Sequence, residues 1–213
     1  LVDRAGTVGV WNPRATMVAG RRQDMNTNDE RMATAWRWRR ESFDWPLAAR
    51  LARLQAADQL LAEVERDALA EARLRDVAEA MHLRANVAID RGKPGMAERL
   101  WKESVRLCET LGDDLMLAHK VRHLGDLARL RGRDADALAC YERAAALHRA
   151  HPPESAAERL DFGNLMVRLA TVRQVRGEHH AALAGWQAAR ACYAALDLAA
   201  GVADCDAHIA ALT

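Results

Sequence analysis

Residues 115–149 carry the pattern that most constrains the fold, two amphipathic helical stretches joined by a short turn. Apolar or small side chains recur every three to four residues in both stretches, which places them on one side of a helix. They are Leu117, Ala118, Val121, Leu124, Gly125, Ala128 and Leu130, then Ala137, Leu138, Tyr141, Ala144, Ala145 and Leu147. Gly132 stands where the first helix has to end, and Asp134 can cap the second. The segment therefore predicts a helical hairpin.

The same order of small and bulky residues occurs three times along the chain. A turn glycine is followed five residues later by alanine, and four residues after that by a large aromatic residue. The three sets are Gly92-Ala97-Trp101, Gly132-Ala137-Tyr141 and Gly177-Ala182-Trp186. This order resembles the tetratricopeptide repeat (TPR), a helix-turn-helix unit of about 34 residues. Because the three glycines lie 40 and 45 residues apart, the resemblance is to the extended-helix type, and it covers roughly residues 67–196.

The resemblance implies an all-α fold, a right-handed α-solenoid of antiparallel helical hairpins. Residues 1–30 lack periodicity, so we expect residues 1–45 to form a disordered or poorly ordered leader that includes a Trp/Arg-rich segment. The repeat domain is predicted over 46–213. Its parts are a degenerate half-repeat (46–66), three repeats (about 67–112, 113–151 and 153–197) and a closing helix (198–212).

Two boundaries inside this domain depend on local signals. No Gly or Pro separates the apolar positions of 47–64 from those of 74–88, so either one long helix spans 46–91 or a turn falls near Arg66 and Asp67. The turn is preferred, because the repeat needs a returning helix before Leu74. Later in the chain two prolines end a helix, and Ser155 with Glu158 forms a capping box for the next one.

The segment from Trp36 to Pro46, WRWRRESFDWP, has three interpretations. Arginine alternating with tryptophan can stack on nucleic-acid bases or contact a membrane surface. It can also form an amphipathic segment whose tryptophans cover the end of the repeat array, since terminal units of solenoids are atypical. The acidic Glu41 and Asp44 weaken the nucleic-acid interpretation, and end-covering is preferred.

Composition excludes several classes of protein. The formal net charge of +1 indicates no polyanionic partner. No apolar run approaches the 18–20 residues of a membrane span, and no secretion signal is visible. We therefore expect a cytoplasmic protein without a membrane partner. The four cysteines form no CxxC pair, so buried, reduced thiols are predicted.

The residues that could carry chemistry are few. His119 and His123 lie one turn apart with Asp126 following, which is compatible with a metal site or an acid–base pair. The nearby Arg122 and Arg129 disfavour a cation there. No phosphate-binding loop or nucleophile elbow is present. We expect no enzyme activity, no cofactor and no metal.

In TPR-like arrays the first helices of successive hairpins line the concave surface that receives the partner. The resemblance therefore implies a partner-binding face made of Glu79, His82, Asn86, Asp90, His119, Arg122, Asp126, Arg129, Asn164, Arg168, Thr171 and Gln174. Arg122 and Arg129 are the expected anchors for an acidic or C-terminal peptide. The carboxylate clamp of chaperone-binding members is not matched, because His82, Asn86 and His119 stand where Lys or Asn is expected.

The leading functional hypothesis is a protein-interaction scaffold that binds a peptide or partner domain on this face. The alternative is a regulatory or sensor arm of a larger bacterial-type signalling protein, such as a kinase or an ATPase-type regulator. An enzyme or metal site around His119 and His123 is the weaker third hypothesis.

Overall fold

The computed structural model describes residues 24–213, with side chains from Asn28 onward. This part of the chain contains nine α-helices and one short 3-10 helix, and no strand. The helices are α1 (Asp24–Glu41), the 3-10 helix (Ser42–Asp44), α2 (Leu47–Ala70), α3 (Leu74–Asp90), α4 (Pro94–Leu111), α5 (Asp114–Leu130), α6 (Asp134–Ala150), α7 (Ala156–Val175), α8 (His179–Ala194) and α9 (Ala199–Ala210). The predicted all-α architecture of helical hairpins is confirmed.

The described residues fall into two units, 24–113 with α1–α4 and 114–213 with α5–α9. In the first unit α1 packs on α2, α2 on α3 and α3 on α4. In the second, α5 packs on α6, α7 on α8 and α8 on α9, with α5 and α7 also in contact. Each hairpin predicted from a turn glycine is therefore present within one unit.

Six helices end in the same backbone turn. In the central one, the Arg133 N–H donates to the Ala128 carbonyl (2.9 Å) and the Gly132 N–H to the Arg129 carbonyl (3.0 Å). This is the Schellman motif, which needs one residue in the left-handed conformation. The residues in that place are Gly92, Gly112, Gly132 and Gly177, and also Ala72 (φ 56°) and Asp197 (φ 55°). The motif therefore also forms at Ala72 and Asp197, where the sequence has no glycine.

The break before Leu74 is therefore five residues later than predicted. Helix α2 continues to Ala70 and the turn is centred on Ala72, so the boundaries 46–66 and 67–112 are corrected. Asp67 lies within α2 and caps nothing, since its carboxylate pairs with Arg31 of α1 at 2.6 Å. A sequence search for glycine or a capping residue misses this turn, because alanine occupies the strained position.

Substituting Ala72 by glycine is expected to stabilise the protein. An L-residue in the left-handed region costs about 1–2 kcal/mol, and glycine avoids that cost but loses more chain entropy on folding. The net gain in the free energy of unfolding is about 0.5–1 kcal/mol, measurable by urea denaturation. The control is Ala52→Gly at an exposed position within α2, which should destabilise by about 1 kcal/mol. A loss of stability in Ala72→Gly would contradict the assigned turn.

Part of the predicted leader is ordered. Helix α1 begins at Asp24, and its residues Met32 and Ala35 are buried. Arg31 bonds Glu63 and Asp67 of α2, and Arg39 pairs with Asp90 of α3. The poorly ordered leader is thus corrected for residues 24–45, while residues 1–23 lie outside the described part. This helix was not predicted because its apolar stripe is narrow and because the ion pairs that hold it on α2 and α3 join residues far apart in sequence.

The aromatic residues at equivalent positions hold the hairpins together. Trp101, Tyr141 and Trp186 are all buried, as predicted. A Cβ atom at Gly125 would lie 2.6 Å from the Tyr141 ring, so the ring occupies space that any larger residue would need. Hairpin α5–α6 thus depends on one small residue facing one large ring.

Several smaller expectations are also decided. The capping box is present, with the Glu158 N–H donating to Ser155 Oγ (3.2 Å) and the Ser155 N–H to the Glu158 carboxylate (2.9 Å). Asp134 is the first residue of α6 and not its cap. Helix α9 lies within the predicted closing helix, and its His208 stacks on Trp186 with ring centroids 4.0 Å apart.

All four cysteines are free thiols as predicted, but only two of them are buried. Cys108 and Cys205 are buried, Cys140 and Cys192 are half-buried, and none is in a disulfide. Burial raises the pKa of the Cys205 thiol to about 11 and raises those of Cys140 and Cys192 as well. These thiols are therefore protonated at neutral pH.

Among the described residues, no helix is long and apolar enough to cross a membrane.

Candidate partner-binding face of α5 and α7

The residues predicted on α3 are largely used inside their own unit. His82 and Asn86 are buried, and the Asn86 amide lies 3.0 Å from His82 Nε2. Trp101 Nε1 donates to His82 Nδ1 (3.1 Å), and Asp90 pairs with Arg39. Glu79 is half-buried on the same helix. Of the four residues predicted here, three therefore support the packing of α3 against α1 and α4.

Helices α5 and α7 carry polar side chains at matched positions. Counted back from the turn glycines Gly132 and Gly177, three places are polar on both helices and half-buried on both. The pairs are His119 with Asn164, Asp126 with Thr171, and Arg129 with Gln174. Because the two helices are in contact, these pairs form one polar face within the unit. We call it the α5–α7 face.

Arg122 lies beneath this face and not on it. Its side chain is only 5% exposed. Nε and Nη2 donate to Asp161 Oδ1 at 3.1 and 2.9 Å, and Nη1 donates to Asp126 Oδ2 at 3.1 Å. A buried guanidinium bonded to two carboxylates is a structural charge pair. Its predicted role as a surface anchor does not fit this burial, so Arg122 is removed from the anchors.

Asp161 of α7 is the centre of this network, and sequence analysis missed it. Burial acts to raise the pKa of its carboxyl, but the charges of His119 and Arg122 outweigh it and hold the pKa well below its usual range. Asp161 is therefore an ionised acceptor, so His119 Nδ1, 2.6 Å away, donates to it. The buried His148 of α6 brings Nε2 to 3.7 Å from the other oxygen. Helices α5, α6 and α7 thus meet at one carboxylate.

His123 is neutral in this setting. Burial lowers the pKa of its imidazole well below the ordinary value, and the charge of Arg122 lowers it further. Arg122 Nη2 lies 3.0 Å from His123 Nε2, and because the guanidinium only donates, that nitrogen accepts. The lone pair that a metal ion would need is thus engaged by a cation. The geometry disfavours the metal hypothesis at this imidazole.

Buried aromatic residues orient the polar residues of the face. Tyr141 donates its O–H to Asp126 Oδ1 (2.7 Å), and Trp186 Nε1 donates to Gln174 Oε1 (2.9 Å). Tyr193 donates to Asn164 Oδ1 at 2.8 Å. Burial raises the pKa of Tyr193 to about 12, which keeps its hydroxyl protonated as a donor. The second helix of each hairpin therefore fixes a side chain on the first, a role that sequence spacing did not reveal.

The remaining predicted residues have distinct surroundings. Arg168 Nε lies 3.4 Å from Asp126 Oδ1, and Thr171 Oγ1 donates to the Val167 carbonyl (2.8 Å). Arg129 occupies the last turn of α5, and its Nε is buried without a hydrogen-bond partner in the part of the chain that the structure describes. Gln174 occupies the matching place on α7 and retains its amide NH2 as a donor.

Comparison with known proteins bears on the fold. No protein-family model and no curated protein matches the sequence. The crystal structure of a Podosopora anserina putative kinesin light chain with nearly identical TPR-like repeats matches with a TM-score of 0.50 and 14% identity, covering 90% of this chain and 97% of that one. The fold is that of TPR-like helical repeats. The sequence resemblance to TPR units is thereby confirmed.

Two further structures were found. A point variant of the same P. anserina protein has a TM-score of 0.48 at 14% identity, with 86% of this chain and 92% of that chain covered. BtubC (BKLC) from P. vanneervenii has a TM-score of 0.42 at 14% identity, with 87% and 90% covered.

Proposed function

We propose that this chain is a protein-interaction scaffold and that the α5–α7 face binds a peptide or partner domain. One observation carries the proposal: polar side chains at matched positions on two neighbouring helices are held in place by hydrogen bonds from the interior. Side chains that are fixed before binding lose little entropy when a partner arrives. A helical repeat fold that displays such a face is suited to recognition.

The same contacts favour binding over catalysis. Asp161 and Asp126 are bonded to Arg122, His119 is bonded to Asp161, and His123 is neutral. The groups that could act as acid or base are thus saturated by one another. We propose a binding role without a chemical step.

The partner chemistry follows from the charges that the network leaves over. Arg122 and Arg168 face Asp126 and Asp161, so these four charges balance. Arg129 remains as a cation at the end of the face, at the position on α5 that matches Gln174 on α7. Guanidinium and amide donors together suit a carboxylate or the carbonyls of an extended peptide. Arg129 therefore replaces Arg122 as the expected anchor.

The test starts from a library of random displayed peptides, from which those that bind the whole chain are selected. Arg129→Gln is expected to weaken binding of the selected peptides at least about tenfold, the loss of one charge-assisted hydrogen bond, measured by fluorescence anisotropy. Gln174→Glu retains the acceptor for Trp186 but adds a negative charge, and should weaken acidic peptides similarly.

The matched control is Arg149→Gln, the same change at an exposed position on α6, with no expected effect on affinity. Circular dichroism verifies that each variant is folded. If Arg129→Gln and Arg149→Gln bind every selected peptide alike, the face proposed here is not the binding site.

A further inference from the structure

A second surface lies in the other unit, where the end of α1 meets the 3-10 helix and the start of α2. It combines aromatic, leucine and arginine side chains that the α5–α7 face does not involve. We call it the Trp/Arg surface, and its members are Trp36, Arg37, Trp38, Arg40, Phe43, Trp45, Leu47, Arg50, Leu51 and Arg53.

Apolar exposure is concentrated on this surface. Of eight large hydrophobic side chains that are exposed in the described residues, four lie within nine positions here: Phe43 (39%), Trp45 (41%), Leu47 (70%) and Leu51 (41%). Leu47 and Leu51 are one turn apart on α2 and so project from the same side. Clustered apolar exposure marks an interaction site, whereas single exposed residues do not. The end-covering role predicted for the tryptophans does not account for it.

Two arginines lie over these rings. The Arg50 guanidinium is 4.4 Å from the Phe43 ring centroid, and that of Arg53 is 4.6 Å from Trp38 and 5.3 Å from Trp45. Both Nε atoms are buried without a hydrogen-bond partner in the described part. A guanidinium over a ring face is attracted by the ring, while its N–H groups, which lie in its own plane, can still bond a carboxylate in pairs. The contact with the rings thus holds Arg50 and Arg53 in place to bind an anion.

The surface is not neutralised from within. Arg39 pairs with Asp90, but among the residues that the structure describes no carboxylate pairs with Arg37, Arg40, Arg50 or Arg53. Glu41 and Asp44 are the acids at its edge, where they border an open depression beside Trp36. Four arginines against two carboxylates leave an excess of two positive charges. The complementary partner is therefore acidic as well as apolar.

We propose that the Trp/Arg surface docks an acidic amphipathic peptide segment of another protein. Its carboxylates would bond Arg50 and Arg53, and its leucine-like side chains would pack on Leu47 and Leu51. Discrete carboxylates fit better than a continuous polyanion, because spaced carboxylates can bond Arg50 and Arg53 and avoid Glu41 and Asp44, whereas the charged surface of a membrane or nucleic acid would meet both acids. The formal net charge of the chain is only +1. This docking is independent of the α5–α7 face.

The probes are 18-residue helical peptides with leucine at i, i+4 positions and Glu, Gln or Lys at the flanking ones. Only the Glu peptides are expected to bind the intact protein, with affinity that falls on adding salt. Arg50→Gln/Arg53→Gln should weaken binding at least about tenfold. Leu47→Ser, at a position too exposed to affect folding, should weaken it about threefold to tenfold.

The matched control is Arg66→Gln/Arg99→Gln, two exposed arginines of the same unit, with binding expected to be unchanged. Two other probes are tested in parallel: phosphatidylserine vesicles, and single-stranded oligothymidine in solution. The proposal is overturned if no Glu peptide binds below about 1 mM, if Gln peptides bind as well, or if vesicles or oligonucleotide bind while peptides do not. Arg129→Gln should leave Glu-peptide binding intact, which separates this site from the α5–α7 face.

Discussion

Replacing Tyr141 by alanine is expected to lower the free energy of unfolding by about 3–5 kcal/mol, the cost of truncating a buried aromatic side chain. The ring is fully buried between α5 and α6. Its loss leaves a cavity against Gly125, where no Cβ exists to fill the space. Because a repeat array is stabilised by neighbouring contacts, the urea transition should also become less cooperative. Urea denaturation followed by circular dichroism measures both effects.

Tyr141→Phe separates packing from hydrogen bonding. It keeps the ring but removes the O–H that donates to Asp126, so we expect a loss of about 1–3 kcal/mol from the unsatisfied carboxylate oxygen. Gly125→Ala should destabilise the wild type, because its Cβ would collide with the ring, and should cost less in the Tyr141→Ala background. An unchanged melting curve for Tyr141→Ala would show that the assigned register of α5 and α6 is wrong.

Replacing Asp161 by asparagine is expected to cost up to about 3–5 kcal/mol at pH 7, because the buried Arg122 loses one of its two counter-charges and keeps only Asp126. Arg122 donates two hydrogen bonds to this carboxylate and has no access to bulk water as an alternative. The double variant Arg122→Met/Asp161→Leu should lose less than the sum of its single changes, since it removes both charges together. Urea denaturation of Arg122→Met, of Asp161→Leu and of the double variant, each compared with the wild type, provides the double-mutant cycle.

The pH dependence of the Asp161 effect has a definite sign. Because the folded pKa of Asp161 is held below its unfolded value of about 3.9, its stabilisation is complete above that value. It is lost as the pH falls from there through the folded pKa. The difference between wild type and Asp161→Asn should therefore shrink below about pH 4. Asp206→Asn removes an acid from an exposed pair with Arg190 and serves as the control, with a nearly unchanged midpoint. A similar loss in both variants would mean that burial does not set the strength of the Asp161 pair.

Most of the helical hairpins were predictable, and the physical reason is local. A helix satisfies its own backbone within a few residues, so apolar spacing, the turn glycines and the Ser155–Glu158 box suffice to indicate where helices begin and end. The Gly–Ala–aromatic order even located the buried rings of Trp101, Tyr141 and Trp186. Ala72 shows the limit of such signals, because surrounding packing imposes a left-handed turn on a residue that does not favour it.

The candidate site was predicted less well, because the environment of a polar side chain depends on partners far away in sequence. The spacing of α5 placed Arg122 beside Arg129, and sequence alone made both surface anchors. Only the packing of α7 against α5 brings Asp161, 39 residues from Arg122, under the face and makes Arg122 an interior residue. Helix α1 follows the same rule, since its bonds to Asp67 and Asp90 cross 36 and 51 residues. The sequence by itself determined the helices and their turns, whereas the tertiary structure decided which charges are buried, because desolvation and pairing depend on distances that no local pattern encodes.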